Sequence, residues 1–193
     1  MHRVRRPPLL LFAALLAGAG LSGCADDGGQ GPTAGAAQVS ARQTARVDRV
    51  VDGDTLKVRL ADGNRRTVRV LGIDTPETKK PDTPVECGGP QASANMARLA
   101  LQGSGYAAKG RDVVLIADPI GDRVDRFDRI LAYVEAGGRD LGEQQLAAGF
   151  AKVYAFQGRQ FQRRARYERV EGQTRREQRG TWGACQGNFH SSR

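Results

Sequence analysis

Histidine is nearly missing from this chain: its 193 residues include only His2 and His190. Cysteine is scarce too, at three: Cys24, Cys87 and Cys185. With so few nitrogen and sulfur donors, neither a zinc cluster nor acid–base chemistry centred on histidine is expected. Long apolar runs are also absent. The longest, Leu9–Gly18, falls well short of the roughly 20 residues that a helical membrane span needs. Residues 1–23 contain no acid, and residues 25–43 show no apolar period. What is left for chemistry is carboxylates and arginines.

Charge of one sign dominates. Lys and Arg number 30 against 21 Asp and Glu, a formal net charge of +9. A basic surface suits a polyanionic partner such as nucleic acid, and it also serves plain solubility; composition leaves both open. Arg3, Arg5 and Arg6 precede the apolar run, so residues 1–23 read as a bacterial export signal. The next step, Leu21-Ser22-Gly23-Cys24, resembles a lipoprotein processing site. That resemblance implies cleavage before Cys24, a lipid on its sulfur, and anchoring of the protein outside the cytoplasm at the bacterial cell membrane. Arg5-Arg6 keeps twin-arginine export open. With Cys24 so used, Cys87 and Cys185 remain as a disulfide pair in an oxidising compartment. Closing so long a loop is worth roughly 4–5 kcal/mol in the chain-entropy account. Residues 24–43 read as a flexible tether, 44–186 as one folded domain, and 187–193 as a disordered tail.

Within the domain, strand-like runs cover about 45–51, 54–60 and 66–73. Gly89-Pro90 opens a helix whose apolar stripe is Ala92, Met96 and Leu99. Further strands are expected near 112–118 and 129–135, a short helix near 140–149, a last short strand at Ala151–Tyr154, and a polar helix over 159–179. Five strands and about three helices in this order predict an α+β, β-rich domain of the OB-barrel type.

Chemistry concentrates between Asp52 and Glu77. Asp52-Gly53 and Asp62-Gly63-Asn64 are turn signals between strand-like runs, and they bring Asp54 towards Asp74. Two carboxylates drawn together repel unless a cation sits between them. Their oxygen donors, with the Thr75 carbonyl, favour calcium or magnesium over zinc. Val68-Arg69-Val70-Leu71-Gly72-Ile73 reads as a buried strand with Arg69 on the face of Leu71 and Ile73. A buried guanidinium is costly unless a carboxylate or phosphate meets it.

The segments DGDT (52–55), VRVLGIDTPE (68–77) and DRFDR (125–129), in this order, resemble the staphylococcal-type thermonuclease family over about residues 47–182. The resemblance implies an OB-fold nuclease, calcium-dependent and indifferent to the sugar, that cleaves flexible or single-stranded DNA and RNA to 3′-phosphates. It implies Asp54, Asp74 and the Thr75 carbonyl as calcium ligands. Glu77 would activate the attacking water, and Arg69 and Arg129 would clamp the phosphate. Lys79, Lys80, Lys152 and Tyr154 are candidate substrate contacts, with Phe156 also available for stacking. Asp128 departs from the family pattern, which has glycine before the arginine, and Tyr154 is displaced by one position. A surface module that binds nucleic acid without cleaving it is the alternative, and Asp128 is the feature that favours it. The protein is expected to be a monomer.

Overall fold

A computed structural model of the chain describes residues 41–78, 84–103 and 108–190. The leader, Cys24, the tether up to residue 40, Lys79 and Lys80 lie outside the described residues.

Five strands close on themselves. Strands β1 (Arg42–Val50), β2 (Thr55–Leu60) and β3 (Arg65–Val70) form an antiparallel meander. β1 also pairs antiparallel with β7 (Asp112–Ile116), and β7 with β8 (Ile130–Ala136). A parallel pairing of β3 with β8 shuts the barrel, giving an OB-type α+β domain. Alternate residues Val47, Leu56, Val58, Val68, Val70, Val113, Leu115, Ile130, Ala132 and Val134 are buried, as strands with one face on a common core require. Gly63, with φ +85°, makes the β2–β3 turn, where the Asn64 amide donates to Asp62 Oδ1 at 2.9 Å.

One expected strand divides. The run 66–73 does not continue past Val70, because Gly72 adopts φ +82° and turns the chain. A side chain there would strike the Phe161 ring, 2.6 Å from a Cβ. Leu71 and Ile73 therefore do not extend the face of Arg69. Ile73–Asp74 forms a separate short strand, β4, paired antiparallel with Lys152–Val153, the tenth strand β10. Leu101–Gln102 (β5), Lys109–Gly110 (β6) and Arg139–Asp140 (β9) are further two-residue strands.

Helix α1, Gly89–Ala100, starts with proline in its first turn and buries Ala92, Met96 and Ala100. Helix α2, Leu141–Ala147, is capped by Asp140, whose carboxylate accepts from the Glu143 amide at 3.2 Å. Helix α3 is shorter than the polar run 159–179, spanning Arg164–Arg176, and its buried Tyr167 donates its hydroxyl to Asp140 Oδ2 at 2.7 Å. Arg163 just before it joins Asp140 at 2.5 Å and Glu135 at 2.8 Å while lying 4.2 Å over the Tyr133 ring. A final turn, α4, covers Thr181–Ala184, and Cys185 is bonded to Cys87.

The expected disordered tail does not describe 187–190. Phe189 is buried and its ring lies 4.8 Å from that of Trp182.

Asp118 carries part of the stability of this frame. Its buried carboxylate accepts from the Tyr133 hydroxyl and from the amides of Gln162 (2.7 Å), Ile120 (2.8 Å) and Gly121 (3.2 Å). Burial alone would raise its pKa, but these donors outweigh it and hold the group below the usual carboxylate range. A depressed acid contributes stability above its unfolded pKa and loses that contribution as pH falls through the folded value. Asp118→Asn should therefore cost about 1.5–3 kcal/mol at neutral pH. Urea unfolding of both proteins should show that gap at pH 7 and a smaller one near pH 3.

Candidate active site

The β1–β2 turn delivers the first acid. The Asp54 amide donates to Asp52 Oδ1 at 3.1 Å, and the Asp54 carbonyl accepts from Val70 at 2.8 Å, tying the turn to the end of β3. Gly53 is required here by closeness: a Cβ would meet Thr75 Oγ1 at 2.6 Å and Ala92 Cβ at 2.8 Å. Its carbonyl accepts from Gln145 Nε2 at 2.6 Å, so the turn is locked from α2 as well.

Arg69 stands opposite Thr55 in the β2–β3 register and reaches both acids. Its Nη1 lies 2.9 Å from Asp54 Oδ2 and donates to the Ile73 carbonyl at 2.9 Å, while Nη2 donates to Asp74 Oδ1 at 3.0 Å. Asp54 also accepts from Thr55 Oγ1 at 2.9 Å and from the amide and hydroxyl of Thr75, both at 3.1 Å. The cation that joins Asp54 to Asp74 in this structure is thus the guanidinium. Asp52 makes a third acid, its carboxyl pushed up to about 6 by burial and then by the charge of Asp54. Burial likewise raises Asp74, against the pull of Arg69. Among the described residues no three His, Cys, Asp or Glu side chains form a ready-made metal cage.

Beyond β4, Glu77 sits in an irregular loop, its Oε1 accepting from the Thr78 amide at 2.7 Å. Glu86 grips the same residue by its main chain. Glu86 Oε2 accepts from the Glu77 amide at 2.7 Å, and the Glu86 amide donates to the Glu77 carbonyl at 3.0 Å. His190 bridges the two acidic groups, with Nδ1 3.1 Å from Glu86 Oε2 and Nε2 3.1 Å from Asp74 Oδ2. Lys152 Nζ is 3.8 Å from Asp74 Oδ2 and 2.6 Å from His190 Nε2.

The other arginine arrives through the parallel pairing. Val68 faces Ile130 and Arg69 faces Leu131, so Arg129, just before β8, is brought alongside β3. Asp125 fixes it: Oδ2 accepts from Arg129 Nε and Nη2, each at 2.7 Å, and Oδ1 from the Arg129 amide at 3.0 Å. These bonds keep the Asp125 carboxyl below the usual range despite its burial. Asp128 takes φ +57°, the left-handed turn conformation that aspartate tolerates. Its carboxylate points to Arg66 Nη2 at 3.1 Å, not into a pair with Arg129. A groove of about 550 Å³ is lined by Arg69, Asp74, Phe127, Arg129, Tyr154 and Phe156 among others. Both aromatics of the displaced Tyr154 segment reach it, with Tyr154 42% and Phe156 54% exposed. Thr75 and Glu77 do not line this groove; they lie past β4, beside Asp54 and Glu86 respectively.

The family model for staphylococcal nuclease homologues matches residues 67–184. The chain belongs to this family. A thermonuclease of Staphylococcus hyicus is 34% identical over 140 residues, covering 72% of this chain and 76% of that protein. Two Bacillus subtilis (strain 168) proteins, endonuclease YncB and the SPbeta prophage-derived endonuclease YokF, are 39% and 42% identical over 107 residues, 55% of this chain. The chain spans only 46% and 33% of the length of those two relatives. The family match begins after Asp54, whose membership of the site rests on its contacts with Arg69 and Thr75.

The structure brings the expected Asp54, Arg69 and Asp74 together and sets Arg129 on the same groove, and it adds three neighbours that the sequence does not point to: Asp52, Glu86 and His190. Asp52 was readable only as a turn residue, although its spacing of two from Asp54 in a tight turn was the available signal. Glu86 carried no local signal. His190 lies in the run 187–193 that reads as a tail, and a count of two histidines excludes a cluster without saying where either lands.

Proposed function

We propose that this protein is a calcium-dependent nuclease that hydrolyses phosphodiester bonds in DNA and RNA irrespective of the sugar, favouring single or flexible strands. The observation that carries the reading is the convergence of Arg69, Asp74 and Arg129 on one groove with exposed aromatics along it. Planar guanidinium forks match pairs of phosphate oxygens, and aromatic faces accept unpaired bases of any sequence. The family relatives are named as a thermonuclease and endonucleases, which agrees with phosphodiester hydrolysis.

The donor set fits calcium. Asp54 and Asp74 meet at the Arg69 guanidinium, and Asp52 holds the Asp54 amide beside them, so the acidic groups gathered here offer only hard oxygens. Asp54, Asp74 and the Thr75 carbonyl would hold the ion, all through the hard oxygens calcium prefers. When bound, the ion supplies positive charge to a phosphate oxygen and neutralises part of the developing negative charge.

The chain's own residues account for the rest. Glu77 takes a proton from water, whose oxygen attacks phosphorus in line. Arg69 and Arg129 hold the phosphate oxygens as the extra charge develops. The bond from phosphorus to the 5′ oxygen breaks, the leaving oxygen takes a proton from solvent, and the 3′ side keeps the phosphate. Lys152 beside Asp74 and the rings of Tyr154 and Phe156 would contact the strand. Lys79 and Lys80, two and three residues after Glu77 in the sequence, are proposed to meet the backbone of the strand. Asp128, the feature that favours a non-cleaving module, is engaged with Arg66 and so supports that alternative less. The Leu21–Cys24 step supports export and a lipid anchor on Cys24.

The deciding experiment incubates purified protein with single-stranded DNA in calcium or in a chelator. Cleavage to 3′-phosphate ends in calcium, lost on chelation and restored by added calcium, is the expected result. Salt-sensitive binding without cleavage in calcium would sink the reading in favour of the binding module.

A further inference from the structure

The C-terminal arm carries His190 to the acidic site, and nothing in the reaction described so far requires it there. Cys185 is bonded to Cys87, 98 residues away in sequence and next to Glu86. Gly187 then crosses the Trp182 ring so closely that a Cβ would meet the ring at 2.9 Å. Phe189, only 2% exposed, packs against the same indole with ring centres 4.8 Å apart. His190 follows, its Nδ1 3.1 Å from Glu86 Oε2 and its Nε2 within reach of both Lys152 Nζ (2.6 Å) and Asp74 Oδ2 (3.1 Å); with a proton on Nδ1 the ring donates to Glu86.

Glu86 Oε2 also accepts from the main-chain amide of Glu77. Glu77 stands in a loop without helix or strand, and the bonds from Glu86 to its main chain help to place its carboxylate. We infer that His190 is a positioning residue, delivered by the disulfide-anchored arm and acting through Glu86 on the main chain of Glu77. The inference rests on the role proposed for Glu77. It makes the Cys87–Cys185 bond part of catalytic competence as well as of stability.

The test compares wild type, His190→Ala and His190→Asn, each oxidised and with the disulfide reduced, cleaving single-stranded DNA in saturating calcium. Asparagine keeps a donor near the position of Nδ1. Trp182 is the chain's single tryptophan, so its emission reports whether Phe189 stays docked. The alanine variant should lose roughly 10- to 100-fold in kcat, the scale of a misplaced reacting group, with KM nearly unchanged. Asparagine should recover most of the loss. Reduction should change Trp182 emission and lower wild-type kcat by a similar factor, yet add little in the alanine variant. An unchanged kcat in His190→Ala, a loss confined to KM, or an equal further loss on reduction in that variant would each overturn the inference while leaving the nuclease reading intact. A wild type that does not cleave at all would remove both.

Discussion

Arg69→Lys should lower kcat for cleavage of single-stranded DNA by about 10²–10³-fold, the scale of removing one preorganised donor to a developing charge. Lysine keeps the positive charge but not the fork. In this structure two separate guanidinium nitrogens serve Asp54 and Asp74, with the Ile73 carbonyl taken as well. An ammonium is a point charge that cannot span the two acids in the same geometry, nor grip two phosphate oxygens side by side. Arg69→Ala goes further and removes the one cation that, among the described residues, pairs directly with Asp54. Breaking a buried pair while leaving its acid behind typically costs about 3–5 kcal/mol. The two variants therefore separate stability from catalysis. Lysine should melt near wild type and cleave poorly, whereas alanine should fail in both respects. Calcium should raise the melting temperature of the alanine variant more than that of wild type, because it answers charge the guanidinium no longer does. A lysine variant with full activity would show that charge alone matters at residue 69 and that the fork is dispensable.

The reach of local pattern explains what could be read in advance. The hairpin from Asp54 to Asp74 was legible because turn residues and strand alternation are local properties, and the need of Arg69 for a partner followed from its apolar neighbours. The break at Gly72 had only the glycine itself as a signal; the structure gives it φ +82° with the Phe161 ring so close that no side chain fits. Nothing local in the sequence ranks Arg129 above its neighbours Arg123 and Arg126, and it is the parallel β3–β8 register that brings Arg129 beside the strand of Arg69. His190 shows the limit most clearly. Counting histidines excludes a cluster, but it says nothing of one imidazole carried across the fold by a covalent bond between residues 87 and 185. Asp128 looked like a rival for Arg129, yet the left-handed turn sends its carboxylate to Arg66, a choice that only the tertiary contact decides.

Glu77→Gln is the cleanest probe of the hydrolytic step, and it should reduce kcat by about 10²–10⁴-fold with calcium saturating. The substitution is chosen for what it retains. Glutamine keeps an Oε1 acceptor for the Thr78 amide, and the main-chain bonds from Glu77 to Glu86 do not involve the side chain. The loop should therefore hold its shape, and strand binding, read by salt-dependent affinity, should stay within a few-fold of wild type. The carboxylate's ability to take a proton from water is what disappears. Glu86→Gln makes the control: its own amide bond to the Glu77 carbonyl persists, and its side chain keeps an acceptor for the Glu77 amide. Loss of its charge should weaken the hold on His190 and cost much less activity than Glu77→Gln. If Glu77→Gln cleaves as fast as wild type, Glu77 is not the base, whereas equal losses in the two glutamine variants would assign Glu77 a share in positioning the water alone.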